Sequence, residues 1–169
     1  MSESVQQHRS EAEASLSIGV VTVSDTRSLV DDSGGALVIE LLESAGHRIG
    51  GREIVKDDRD AIIGAMLELA GNPRVDAIIS TGGTGIARRD VTYEAVSSVM
   101  DRQIDGFGEL FRMLSYEQIG SAAMLSRATA GAIGTTAVFS LPGSRNAIRL
   151  AMERLILPEI EHVVFEIRK

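Results

Sequence analysis

The chain has 169 residues, with 17 lysines and arginines against 24 aspartates and glutamates, for a net charge of −7. That length fits one domain, and a chain of this size buries about two-thirds of its unfolded surface, so it needs no covalent staple. There are no cysteines, which excludes a disulfide scaffold, a thiolate zinc site, a thiol nucleophile and an iron–sulfur cluster. The acidic balance argues against nucleic-acid binding driven mainly by charge. No apolar run approaches the roughly 18 residues of a membrane helix.

Residues 1–15 are polar, lack the apolar core of a secretory signal and read as a flexible arm. Ile18-Gly19-Val20-Val21-Thr22-Val23 is a short apolar run of the kind found in strands covered on both faces. It stops at Ser24-Asp25-Thr26. From Ser33 to Gly46, the spacing of Val38, Leu41, Leu42 and Ala45 predicts a helix, with Asp32 or Ser33 as its cap. Arg48 to Val55 reads as a second strand. Asp57-Asp58 opens a helix carrying Ile62, Met66 and Leu69, which Gly71-Asn72-Pro73 stops.

Val75 to Ser80 is the third predicted strand, broken by Thr81-Gly82-Gly83-Thr84-Gly85, and Asp90 to Met100 the third helix. Gly106 to Gly120 favours another helix. Ala128 to Ile133 and Thr136 to Leu141 read as a hairpin or two nearby strands. Pro142-Gly143-Ser144 leads into a helix bearing Ile148, Ala151, Met152 and Leu155, which Pro158 ends or kinks; Glu159 to Lys169 adds one more turn. Alternating strands and helices predict a single α/β domain over residues 16–169, a mostly parallel sheet with helices on both faces.

In such sheets, ligands sit beyond the carboxyl ends of the strands. Three predicted strands end there in small polar loops: Ser24-Asp25-Thr26, Thr81 to Gly85, and Pro142-Gly143-Ser144. The glycine loop is the sharpest signal. Its amides and threonine hydroxyls suit phosphate oxygens, although a tight structural turn reads the same way. It is neither a Walker loop, since no Gly-Lys-Ser/Thr follows, nor a dinucleotide fingerprint, since Arg88 fills the position needing Gly or Ala. Arg88 and Arg89 suit an anion. Asp90 reads as a metal ligand or a helix cap. One of Asp57 and Asp58 is an N-cap, which leaves the other to reach the crevice; two carboxylates from different loops beside a phosphate loop suit magnesium. Arg127, after Ser126, presents a cation to an anionic ligand or lies on the surface. Ser144 contributes to anion binding or caps its helix. His8, His47 and His162 show no metal spacing, Phe107 and Phe111 read as core or interface, and no Gly-x-Ser-x-Gly elbow is present.

Ser24-Asp25-Thr26, Asp32-Ser33-Gly34, Thr81 to Gly85, Arg89-Asp90-Val91-Thr92, Gly106-Phe107-Gly108-Glu109, Leu125-Ser126-Arg127 and Leu141-Pro142-Gly143-Ser144 follow one another in that order. The ordered set resembles the MoaB/Mog family of molybdenum-cofactor biosynthesis proteins, over about residues 18–159. The resemblance implies a three-layer α/β/α molybdopterin-binding domain in the cytoplasm. In the active branch it implies a Mg2+-dependent adenylyltransferase that joins AMP from ATP to the phosphate of molybdopterin. The product would pass to a molybdenum-insertion protein, and the chain would form a homotrimer or hexamer. By position, Asp57 and Asp90 match the two catalytic, metal-placing acids, and Thr81, Gly82, Gly83, Thr84 and Gly85 match the pterin-phosphate or nucleotide loop. Ser24, Asp25 and Ser144 match residues of the same pocket, with Ser126, Arg127, Pro142 and Gly143 in the neighbouring motifs. Tyr93 stands where many Mog-type members have proline, and residues 106–127 read closer to MoaB. That leaves a second implication, a MoaB-like protein that binds molybdopterin without adenylylating it.

Overall fold

A computed structural model describes residues 15–169. The arm expected over 1–15 lies, apart from Ser15, outside them. Six strands form one sheet: β1 (Ser17–Val23), β2 (Arg48–Val55), β3 (Ala77–Thr81), β4 (Arg102–Gln103), β5 (Thr129–Ile133) and β6 (Thr136–Leu141). Their order is β2-β1-β3-β6-β5-β4. The first four in that order run parallel, β5 is antiparallel to β6, and β4 is antiparallel to β5. The helices are α1 (Ser33–Ser44), α2 (Arg59–Gly71), α3 (Thr92–Val99), α4 (Asp105–Ile119), α5 (Arg145–Ala151) and α6 (Ile160–Arg168).

The apolar strands need cover on both faces and receive it. Ile18, Val20, Ile79, Phe139 and Leu141 pack against Leu37, Phe111, Ile148 and Met152 on one side. Val21, Val23, Ile78 and Val138 pack against Ile62, Met66, Leu69 and Val96 on the other. The result is the expected three-layer α/β/α sandwich. Phe107 stacks on Phe111 at 6.5 Å between centroids and meets Phe139 edge-on at 5.4 Å, so this pair belongs to the core. His47 is also structural. Its Nδ1 accepts from the Leu16 amide at 3.3 Å, and burial lowers its pKa.

Three details differ from expectation. The third helix starts at Thr92 rather than Asp90, because the Asp90 carboxylate turns back to the Ala87 amide. The helix from Ser144 gives way at Met152–Ile156 to a π turn, where Leu157 N donates to Met152 O at 2.9 Å. Pro158 has no N–H to continue the ladder, and the wider turn absorbs the break. The last helix then runs nine residues rather than one turn. The two-residue edge strand β4 and the 3-10 segment Gly120–Leu125 had no periodic signal. Among the described residues, no helix is long and apolar enough to cross a membrane.

The chain leaves β1 for β2 on one side and then enters β3 on the other side of β1. This reversal makes the carboxyl ends of β1 and β3 the place where a crevice opens.

Candidate functional site

Thr81 closes β3, and the next two residues adopt left-handed backbone, with φ +97° at Gly82 and +62° at Gly83. Other residues pay for that conformation. Space is also absent. A Cβ on Gly82 would strike the Val23 carbonyl, and one on Gly83 would strike Thr92 Oγ1 and lie 2.9 Å from Asp57 Oδ2. The loop therefore crosses directly over the end of β1 and rests against the Asp57 carboxylate. Gly82 N also donates to Leu141 O at 3.1 Å, which ties the loop to the end of β6.

Asp57 and Asp58 divide their roles. Asp58 caps α2, accepting from Ala61 N at 3.0 Å. Asp57 is thereby released toward the glycine loop, where its Oδ1 accepts from Val91 N at 3.2 Å. Its own amide donates to Asp25 Oδ1 at 3.1 Å. Asp25, Asp57 and Val91 thus join the loops that follow β1, β2 and β3. Asp90 does not cap α3. Its Oδ2 accepts from Ala87 N at 3.0 Å, and its carboxylate fills the space a Cβ on Gly85 would occupy.

Burial raises the Asp57 pKa above the ordinary 3.8; the Val91 amide opposes this, the charges of Asp90 and Asp25 add to it, and Arg89 offsets part. Asp57 Oδ2 and Asp90 Oδ1 accept no hydrogen bond among the described residues. Thr92 Oγ1, fully buried beside them, has no partner. Oxygen donors under mutual repulsion fit a hard cation such as Mg2+, which takes few protein ligands. No group of three or more acidic, histidine or cysteine side chains forms a metal cage among the described residues. A cation at Asp57 and Asp90 would therefore complete its shell with water and substrate phosphate.

A cavity of about 270 Å³ opens at the ends of β1 and β3, lined by Thr22, Ser24, Arg27, Thr81, Gly82 and Gly143 among others. The three polar loops do converge there. Ser24 shapes its own turn, its Oγ accepting from Thr26 N at 3.3 Å and Arg27 N at 3.2 Å. Ser144 serves as the cap of α5, accepting from Ala147 N at 3.2 Å, and stands outside the cavity lining; Pro142 sits between it and β6.

Arg127 has a different task from presenting a free cation. Its Nε donates to Thr84 O at 2.9 Å, and its Nη2 donates to Gly85 O and, at 3.2 Å, to Asp90 O. Its Nη1 pairs with Glu94, and the guanidinium lies 5.2 Å from the centre of the Tyr93 ring. An irregular loop leaves carbonyls without ladder partners, and this fork of donors satisfies three of them. Ser126 ends the 3-10 turn that delivers Arg127, its amide donating to Ala123 O.

Asp32 caps α1, as the sequence allowed, but its further role at the cavity wall and the roles of Tyr93 and Glu94 escaped sequence reasoning. Asp32, almost fully buried, accepts from Thr22 Oγ1 at 2.8 Å, from Gly35 N at 2.9 Å and from Arg52 at 3.2 Å, fixing the cavity wall at the end of β1. A threonine within an apolar strand run was the available signal. Tyr93 and Glu94, which seat Arg127, gave none.

Comparison with known proteins places these residues in context. Residues 19–162 match the family described as a probable molybdopterin binding domain. The chain is 54% identical over 167 residues to molybdenum cofactor biosynthesis protein B of Bacillus subtilis, covering 98% of each chain. A crystal structure of a molybdenum cofactor biosynthesis protein B superposes with a TM-score of 0.89 at 53% identity, covering 91% of this chain and 96% of that one. The tungsten cofactor synthesizing protein MoaB from Pyrococcus furiosus follows with a TM-score of 0.84 at 39% identity, covering 94% and 100%.

The clamp has a measurable consequence. Arg127→Ala should speed amide hydrogen exchange across residues 84–90 by about ten-fold or more, while β1 and β3 keep their protection. Arg127→Lys, with charge but no fork, should fall between. Unchanged exchange in both variants would contradict the clamp.

Proposed function

Because the chain belongs to the molybdopterin-binding-domain family, in its MoaB/Mog branch, and acts in molybdenum cofactor biosynthesis, we propose that it is a Mg2+-dependent molybdopterin adenylyltransferase. In this reaction a phosphate oxygen of molybdopterin forms a bond to the α-phosphorus of ATP, and the bond from that phosphorus to the pyrophosphate breaks. The observation that supports the reading is the meeting of Asp57 and Asp90, from the ends of different strands, against one glycine loop.

Each residue has a task in that chemistry. Phosphoryl and nucleotidyl transfer depend on positioning and on neutralising charge, with no need for a covalent nucleophile. The backbone of Gly83 to Gly85 receives a phosphate group at close range, the Gly82 amide being already bonded to Leu141 O. Arg88 and Arg89 are exposed on the same loop, and Arg27 stands at the cavity wall. They attract anions to one edge of a chain that is otherwise acidic. Asp57 and Asp90 would hold Mg2+, which supplies neutralisation of the nucleotide's phosphates when bound. Arg127 keeps the loop in shape, and Asp25 fixes the Asp57 backbone. The adenylylated product is the substrate for a metal-insertion protein.

A second reading is a molybdopterin-binding protein of the same pathway without transferase activity. It is favoured by the relatives above, named for protein B and MoaB. Incubation with molybdopterin, ATP and Mg2+, followed by mass analysis, separates the two. The account expects adenylylated molybdopterin, reduced about 100-fold or more by Asp57→Asn and by Asp90→Asn. Pterin binding without product would establish the second reading. Stability adds a control. The Asp57 pKa is raised in the folded chain, so ionising this group costs stability, and the cost grows as pH rises from 3.8 through the folded value. Asp57→Asn should therefore melt no lower than the parent at pH 7, and that advantage should vanish below about pH 4. A lower melting temperature at pH 7 would mark Asp57 as a stabilising group instead.

The reading includes self-association. Leu110, Met113, Tyr116 and Ile119 of α4, then Met124 and Leu125, are each about half exposed or more. Such a stretch suits a subunit contact, and we propose a trimer or hexamer built on it. Light scattering should report a multiple of the chain mass at micromolar concentration; a monomer would contradict this.

A further inference from the structure

One layer of the core is polar. On the face of the sheet that α2 and α3 cover, Ile78 of β3, Val138 of β6 and Val96 of α3 belong to one apolar cluster. Residues two apart on a strand share a face, and residues four apart on a helix share a stripe. One step toward the carboxyl ends of the strands therefore replaces Ile78 by Ser80 and Val138 by Ser140. The head of α3 stands at that end, since Thr92 N donates to Gly83 O just beyond β3. The matching step along the helix replaces Val96 by Thr92. Such a step covers about 7 Å on a strand and about 6 Å on a helix, so the three residues stay level. Ser80 and Ser140 are also direct partners in the parallel β3–β6 register.

All three are fully buried, and none of their hydroxyls has a hydrogen-bond partner among the described residues. Buried polar groups are nearly always paired, with protein or with ordered water, because an orphan forfeits the bonds it made in the unfolded chain. The backbone offers no remedy. β3 is bonded to β1 and β6, and β6 to β3 and β5, so both strands have their amides and carbonyls committed on both edges. The serines are shorter than the isoleucine and valine they succeed, which leaves room in this layer where carbon fills the one below.

We propose that Ser80, Ser140 and Thr92 hold one internal water molecule between the sheet and the head of α3. The donor set selects water. A hydroxyl both donates and accepts, as water does, and a buried water makes about three hydrogen bonds. A monovalent cation would need more oxygens than three hydroxyls supply, and the strand carbonyls are already in the ladder. The site has a place in the architecture above it. Thr92 Oγ1 and the Asp57 carboxylate both lie within 3.0 Å of the point where a Cβ on Gly83 would stand. The water thus ties the central strands to the residue on which the glycine loop rests. It does so whatever reaction the loop serves.

A high-resolution crystal structure of the full-length protein tests this directly. One water should lie within hydrogen-bond reach of Ser80 Oγ, Ser140 Oγ and Thr92 Oγ1. Hydroxyls bonded to one another with no water between them would overturn the proposal. So would an anomalous peak at that position after a rubidium chloride soak, which would mark an ion. Melting of Ser80→Ala, Ser140→Ala and the double variant gives a second reading. If the two serines share a water, losing either releases it, and the double variant should melt little below the weaker single one. Fully additive shifts would contradict a shared water. Ser140→Ala should also speed hydrogen exchange at the Thr92 amide about ten-fold, although Ser140 lies on a different strand from the loop. An unchanged Thr92 amide would overturn the tie to the glycine loop.

Discussion

The left-handed turn at Gly82 and Gly83 is the constraint on which the site depends. It lets the chain leave β3 and cross the end of β1 at a separation no side chain permits. Every other arrangement at that edge uses the space it creates. Asp57 occupies the pocket beneath Gly83 and reaches Val91. Gly82 joins the end of β6, and Thr92, at the head of α3, returns its amide to Gly83 O at 3.1 Å. Substituting either glycine would therefore move the carboxylates as well as the turn.

Electrostatics explain why such a turn needs a clamp. Three carboxylates, Asp25, Asp57 and Asp90, stand close enough for the charges of the other two to raise the Asp57 pKa, after burial has already done so. The loops that carry them would separate without restraint. Between loops the Asp57–Asp25 and Val91–Asp57 hydrogen bonds supply it, and within residues 84–90 Arg127 holds three carbonyls while pairing with Glu94, so the loop keeps its shape and Asp57 and Asp90 each keep a free oxygen. The same division appears at β1, where Asp32 is saturated by Thr22, Gly35 and Arg52 and serves structure alone. An acid's partners, more than its position in the sequence, decide which role it takes.

Much of this was legible in the residues. The apolar runs located β1, β3 and β6, because strands buried on both faces tolerate few polar residues. The three glycines and the polar strand ends marked one sheet edge. The division of Asp57 from Asp58 followed from helix capping, which can use only one of them. Arg127 was misread because its partners are backbone carbonyls 37 to 43 residues away, and no sequence pattern records those. Ser144 was ambiguous for the opposite reason: one hydroxyl serves equally well as a cap or a ligand.

The central claim is that Asp57, Asp90 and the glycine loop form one anion- and cation-binding centre. The most direct measurement is a crystal structure of the protein with Mn2+ and a non-hydrolysable ATP analogue, the ion located by its anomalous signal. The account predicts one Mn2+ in contact with Asp57 and Asp90, with phosphate oxygens against the backbone of Gly83 to Gly85. Nucleotide bound elsewhere, or Mn2+ held away from both aspartates, would contradict it.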